Sequence, residues 1–157
     1  MKKTVQIEEQ TARRLYPTAS PEFKSMLEDS FGKEFFAQKI TDRIKSYLDA
    51  CAELGEEPLS ESQLKSLGFT DDEIVYRKIK TITQALNEGW TPDWSDGNQK
   101  KWTPYFRMSS GGFVFGGASC GRSAAGAGSA SRLCFKSGEL AKYAGEQFTK
   151  LYSDFIL

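Results

Sequence analysis

The sequence predicts an α+β fold: a helical N-terminal two-thirds followed by a small antiparallel β-sheet covered by a C-terminal helix. Three observations carry this. Helix caps punctuate the chain as far as Gly89, short aromatic runs replace them after Gly97, and one apolar stripe at helical spacing closes the chain. At 157 residues the chain reads as a single domain over 1–157, with a mainly helical part over 1–89 and a β-β-β-α part over 90–157.

The first helix signal is Ser20-Pro21, an N-cap followed by proline at the first helical position. Phe23, Met26, Leu27 and Phe31 then share a face, and Gly32 closes the segment. Phe36, Ile40, Ile44, Leu48 and Cys51 continue at steps of four and three, with Thr41 as a possible fresh cap and Gly55 as the C-cap before Pro58. Ser60-x-x-Gln63 and Thr70-x-x-Glu73 are capping boxes separated by Gly68. The second box opens a helix carrying Val75, Ile79, Ile82 and Leu86 that ends near Asn87-Glu88-Gly89.

The stretch Trp90 to Gly97 is turn-rich and marks the change to strands. Trp102 to Arg107, Phe113 to Phe115 and Arg132 to Lys136 have strand size and aromatic content, and Pro104 points to an edge position for the first. Around the second of these and up to the third, the hairpin-loop segment over 109–131 holds seven Gly, six Ser and five Ala in 23 residues. Such a composition makes a flexible hairpin loop unless a contact orders it. Ser137 caps a final helix whose Leu140, Ala144, Phe148, Leu151 and Phe155 form one stripe facing the sheet.

Histidine is absent, which removes Ser-His-Asp and Cys-His nucleophile systems, His-ligated metals and the imidazole proton shuttle. Gly116 to Ser123 fits a phosphate-loop spacing with Arg122 in the lysine position, but Gly126 and Gly128 spoil the helix such a loop requires. Gly117-Ala118-Ser119-Cys120-Gly121 fits a nucleophile elbow that lacks its usual base. Residues 60–89 have a helix-turn-helix outline, yet Asp71-Asp72-Glu73 would present acid to phosphates where a recognition helix reads bases. Cys51, Cys120 and Cys134 form no metal-ligand pattern, and they point to a reducing, intracellular setting. Cys120 and Cys134 could face each other across the hairpin. The expectation is a protein without catalytic residues, metal or cofactor, and without a membrane span.

Formal net charge is zero, but the charges are segregated. The window 97–136 holds six bases and no acid, interleaved with Trp102, Tyr105, Phe106, Phe113, Phe115 and Phe135. Two readings follow. In the first, Trp90, Trp94, Trp102 and Tyr105 anchor a partner protein. In the alternative, Lys100, Lys101, Arg107, Arg122 and Arg132 bind single-stranded nucleic acid or an anionic ligand. Homo-oligomer formation is open on sequence grounds, and so is an enzyme built on a spatial pair of carboxylates.

The segments Ala85 to Trp94, Lys101 to Phe106, Ser131 to Ser137 and Tyr143 to Phe148, together with Phe31-Gly32-Lys33 and Asp42 to Lys45, form a pattern over most of the chain. In this it resembles uncharacterised small proteins encoded by phages and prophages of gut bacteria. The chain departs from that group in its Gly/Ala-rich inter-strand segment. The resemblance implies a setting, the cytoplasm of a host bacterium or a virion, and brings no activity, cofactor or catalytic residue with it.

Overall fold

Local capping places the helices. A computed structural model describes residues 6–122 and 132–157, and the chain divides into two compact units, Met1–Arg43 and Ile44–Leu157. The compositional change over Gly89 to Gly97 is therefore a change of secondary structure inside the second unit, not its boundary.

The first unit contains α1 (Glu9–Leu15), a 3-10 turn (Tyr16–Thr18), α2 (Pro21–Phe31), α3 (Lys33–Ala37) and α4 (Ile40–Arg43). The Ser20 hydroxyl caps α2 by accepting from the Phe23 amide at 3.3 Å, as its sequence signature predicts. Only Leu27 of the predicted α2 stripe is buried, and Met26 is 64% exposed. The unit is held by aromatic packing: Tyr16 stacks on Phe36 at 4.1 Å, and Phe35 meets Phe36 edge-on at 4.9 Å. Arg13 lies over the Phe35 ring and donates to the Phe35 carbonyl.

The second unit runs α5 (Tyr47–Leu54), α6 (Glu61–Ser66), α7 (Asp71–Leu86), β1 (Lys101–Ser109), β2 (Gly112–Gly121), α8 (Gly138–Gln147) and α9 (Thr149–Ile156). The Ser60 box forms with both of its bonds, and at the second box the Thr70 amide and hydroxyl both donate to the Glu73 carboxylate at 2.8 and 2.9 Å. The four-step stripe from Phe36 to Cys51 breaks into α3, α4 and α5. Ser46, rather than Thr41, caps α5, and Leu48 is left 61% exposed. Gly55 closes α5 in the left-handed conformation its position requires. Helix α7 is the central element, with α5, α6 and α9 packed on it. Its Ile74, Ile79, Ile82, Ala85 and Leu86 are buried.

β1 and β2 form a two-stranded antiparallel sheet. Trp102, Pro104 and Phe106 of β1 and Phe113 and Phe115 of β2 line the face toward α8 and α9. Phe106 stacks on Phe113 at 4.6 Å and lies 4.9 Å from the Tyr152 ring. Tyr105 and Arg107 point to the other face.

Three expectations need correction. The strand expected at Phe113 to Phe115 extends to Gly121, so half of the expected hairpin loop is sheet. Tyr105 explains how a glycine pair is held there: its ring covers Gly116 and Gly117, where an added Cβ would approach it to 2.6 and 2.9 Å. Register passes from Tyr105↔Gly117 to Phe106↔Phe115, which makes Gly116 the extra residue of a bulge. The rest of the loop, 123–131, lies outside the described residues.

The third strand, expected at Arg132 to Lys136, is a single bridge between Trp102 and Phe135. The Phe135 carbonyl and amide bond Trp102 at 3.0 and 2.7 Å. On the other side, a side chain takes the place of a neighbouring strand. Asn87 Nδ2 donates to the Cys134 carbonyl at 2.9 Å, and its Oδ1 accepts from the Lys136 amide at 3.0 Å.

The last helix is two helices. Phe148 leaves the helical region, with φ −113° and ψ 26°, while the Thr149 hydroxyl donates back to the Gly145 and Glu146 carbonyls.

Tyr152 is buried, and burial pushes its hydroxyl pKa above the ordinary 10.0; burial also pushes half-buried Tyr47 up to about 12. A raised pKa in the folded state contributes stability that is complete below the unfolded value and is lost as pH rises toward the folded one. The denaturation midpoint is therefore expected to fall once pH exceeds about 10. Tyr152→Phe should flatten that decline, which pH-resolved denaturant titrations would measure. An equally steep decline in the variant would exclude Tyr152 as its cause.

Candidate functional site

Where α7 ends, the chain must turn through Glu88 and Gly89, both at positive φ (49° and 84°). The turn carries Trp90 back along the helix. The following segment, 91–100, has no regular secondary structure but is ordered by its own polar groups. Asp93 accepts from the Ser95 amide and hydroxyl at 2.8 and 2.6 Å, and its backbone amide donates to Gln99 at 2.7 Å. The Ser95 hydroxyl, and after it the Ser95 amide, hold the Asp93 carboxyl below the usual carboxylate range. Asp96 accepts from the Asn98 amide at 2.8 Å.

Lys101 completes this framework. Only 2% exposed, it donates to the carbonyls of Asp96, Gln99 and Arg122 at 3.0, 3.0 and 2.9 Å, and its ammonium lies 5.1 Å from the Trp94 ring centroid. One ammonium thus closes the loop, fixes the end of β2 and supports Trp94 by a cation–π contact. Lys101→Met should cost about 1–3 kcal/mol, since three carbonyls lose a charged donor but lie near enough to water to be partly resolvated. It should also alter Trp94 emission. Chemical denaturation followed by fluorescence checks both, and unchanged stability would show that the loop holds without the ammonium.

The result is a cleft of about 290 Å³. Its helix wall is Lys80, Thr83 and Gln84 of α7 with Asn87 at the C-cap, its loop wall is Trp90, Thr91, Pro92 and Trp94, and Arg132 and Cys134 complete the lining. Trp94 is 37% exposed and Trp90 half-buried, so both rings are accessible from the cleft while their backbones are tied down. Burial pushes the Cys134 thiol pKa upward, which keeps it protonated and a poor nucleophile at neutral pH. Cys51, Cys120 and Cys134 are free thiols. No metal-type cluster of three or more His, Cys, Asp or Glu occurs among the described residues. No helix among them is long and apolar enough to cross a membrane.

The expected site residues separate. Trp90, Trp94 and Arg132 meet in the cleft. Trp102 instead faces α8, its ring about 3.1 Å from where a Cβ on Gly138 would stand. Tyr105 covers the β2 glycines on the opposite face of the sheet, beside exposed Arg107. Lys100 and Arg122 are exposed, whereas Lys101 is consumed by carbonyls and is not open to an anion. The phosphate-loop and nucleophile-elbow matches lie on an extended strand in Gly116 to Gly121, and Ser123 falls outside the described residues.

Sequence reasoning missed the helix wall. Lys80, Thr83, Gln84 and Asn87 recur at helical spacing on one face of α7. The signal was available in Thr83, a polar residue beside the apolar stripe of α7, and in Asn87 at its C-cap, which are 2% and 4% exposed. No protein family, curated protein or solved structure matches this chain.

Proposed function

We propose that the chain is a non-catalytic protein-interaction module of phage or mobile-element origin, a virion component or a modulator of a host system, which grips its partner at the Trp90–Trp94 cleft. The phage setting rests on the sequence resemblance alone. The observation that carries the binding reading is the pair of tryptophans opening on a cleft whose loop is already ordered by Asp93, Asp96 and Lys101. Ordering a loop is a main cost of association, and a preorganised aromatic anchor avoids most of it.

The alternative, single-stranded nucleic acid or an anionic ligand, draws support from Arg132 in the same cleft. It loses Lys101 from its cation set.

Purification from the native host at low and moderate salt, for wild type and Trp94→Ala, separates the two. A stoichiometric protein that survives moderate salt with wild type and is lost from Trp94→Ala is the expected result. Nuclease-sensitive material that leaves as salt rises would overturn the proposal in favour of Lys100, Arg107, Arg122 and Arg132 as phosphate contacts, because counterion release makes such binding steeply salt-dependent.

A further inference from the structure

We infer that the segment taken by the cleft is acidic: an extended stretch of a partner protein that places an Asp or Glu between Lys80 and Arg132 and a flat or apolar side chain against Trp90 and Trp94. This rests on the protein-interaction reading above and names the partner's chemistry.

The argument is charge complementarity. No acid lines the cleft, and two bases do. The cations nearby are committed: Lys136 pairs with Glu88 at 2.8 Å, and Lys101 is enclosed by carbonyls. Lys80 and Arg132 have no ion-pair partner among the described residues. The carboxylates of the cleft loop do not supply one: Asp93 accepts from the Ser95 amide and hydroxyl, and Asp96 from the Asn98 amide. The positive potential of the cleft is thus left for a ligand to neutralise, and an arginine beside indole rings suits a carboxylate next to an aromatic group. At about 290 Å³ the space accepts one or two side chains. Two cations in one cleft make no continuous track for a polynucleotide.

The test selects binders from a random-peptide display library on the immobilised full-length protein and then titrates the enriched peptides against it in solution. All three tryptophans of the chain lie at positions 90, 94 and 102, so intrinsic fluorescence reports on this region. The expected result is enrichment of peptides joining Asp or Glu to an aromatic residue. Their affinity should fall about tenfold or more in Arg132→Glu and in Lys80→Glu, and remain unchanged in Lys142→Glu, a charge change of the same sign outside the cleft. Lys80→Gln and Arg132→Gln, which remove the charge and keep a polar side chain, serve if a reversal perturbs the circular dichroism.

Enriched neutral or basic peptides that depend on Trp94 would overturn the acidic assignment and leave the interaction module standing. A library without binders, together with fluorescence quenching by a single-stranded oligonucleotide, would overturn both. A library without binders and no quenching would overturn the acidic assignment.

Discussion

Asn87→Leu is expected to destabilise the second unit by about 3 kcal/mol or more, the largest loss from any single polar side chain, because it strands two backbone groups at once. The Asn87 amide is 4% exposed and satisfies the Cys134 carbonyl and the Lys136 amide. Each buried group left without a partner costs about 1–3 kcal/mol, and leucine can satisfy neither. Asn87→Asp provides the control. It retains the acceptor for Lys136 but sets a carboxylate against a carbonyl, so its carboxyl titrates upward in the folded state. Its deficit relative to wild type should therefore be largest at neutral pH and shrink as pH falls through the carboxylate range and the protonated acid regains a donor. Urea titrations of the three proteins at neutral and acidic pH measure this. A leucine variant within about 0.5 kcal/mol of wild type would show that water replaces the clamp without loss.

Gly145→Val is expected to separate α8 from the sheet, with a cost of about 3 kcal/mol or more from overpacking and the lost contacts behind it. Gly145 sits in the helix interior, where propensity alone favours alanine by about 1 kcal/mol. The tertiary contact reverses that sign. A Cβ at Gly145 would stand 2.4 Å from Phe115 Cε2 and 2.9 Å from the Pro104 Cβ, the latter fixed by a rigid ring on the β1 backbone. Gly145→Ala should accordingly lower the melting temperature even though it improves the helix, and valine should lower it further. Phe115→Leu combined with Gly145→Ala should recover part of the loss, since the two residues touch and their effects are coupled. A melting temperature raised by the alanine variant would mean that the hairpin yields and that helix propensity dominates.

These two residues also mark the limit of sequence reading here. Ser20, Ser60, Thr70 and Ser137 announce helix starts because a capping side chain bonds an amide only two or three residues away, and each of these starts is found. Thr70 and Glu73 pair as predicted, through the Glu73 carboxylate. In the candidate site, Trp90, Trp94 and Arg132 stand out as aromatic and basic residues in a turn-rich, acid-free stretch. Their convergence with Lys80 and Gln84 of α7 is invisible, because it depends on the path the loop takes back along the helix.

Periodicity proved less reliable than capping. Steps of four and three from Leu140 to Phe155 predict one continuous helix, and those from Phe36 to Cys51 predict one helix or, with a fresh cap at Thr41, two, yet helices end at Ala37, Arg43 and Gln147. An apolar stripe records which residues are drawn to a core. It does not record whether the backbone between them stays helical.

What the sequence determined by itself is the α+β class, the capped helix starts and the β1 strand, all governed by interactions a few residues apart. The tertiary structure alone decided the rest. Arg132 to Lys136 has strand composition, but strand pairing needs a neighbour, and the neighbours available are Trp102 on one side and the Asn87 side chain, 47 residues from Cys134, on the other. Gly116 and Gly117 read as loop until Tyr105 covers them across the sheet. Lys101 reads as a surface cation until Asp96, Gln99 and Arg122 turn their carbonyls toward it. In each case at least one backbone group or glycine is met by a side chain distant in sequence or on the neighbouring strand, and such a requirement leaves no periodic trace in the chain.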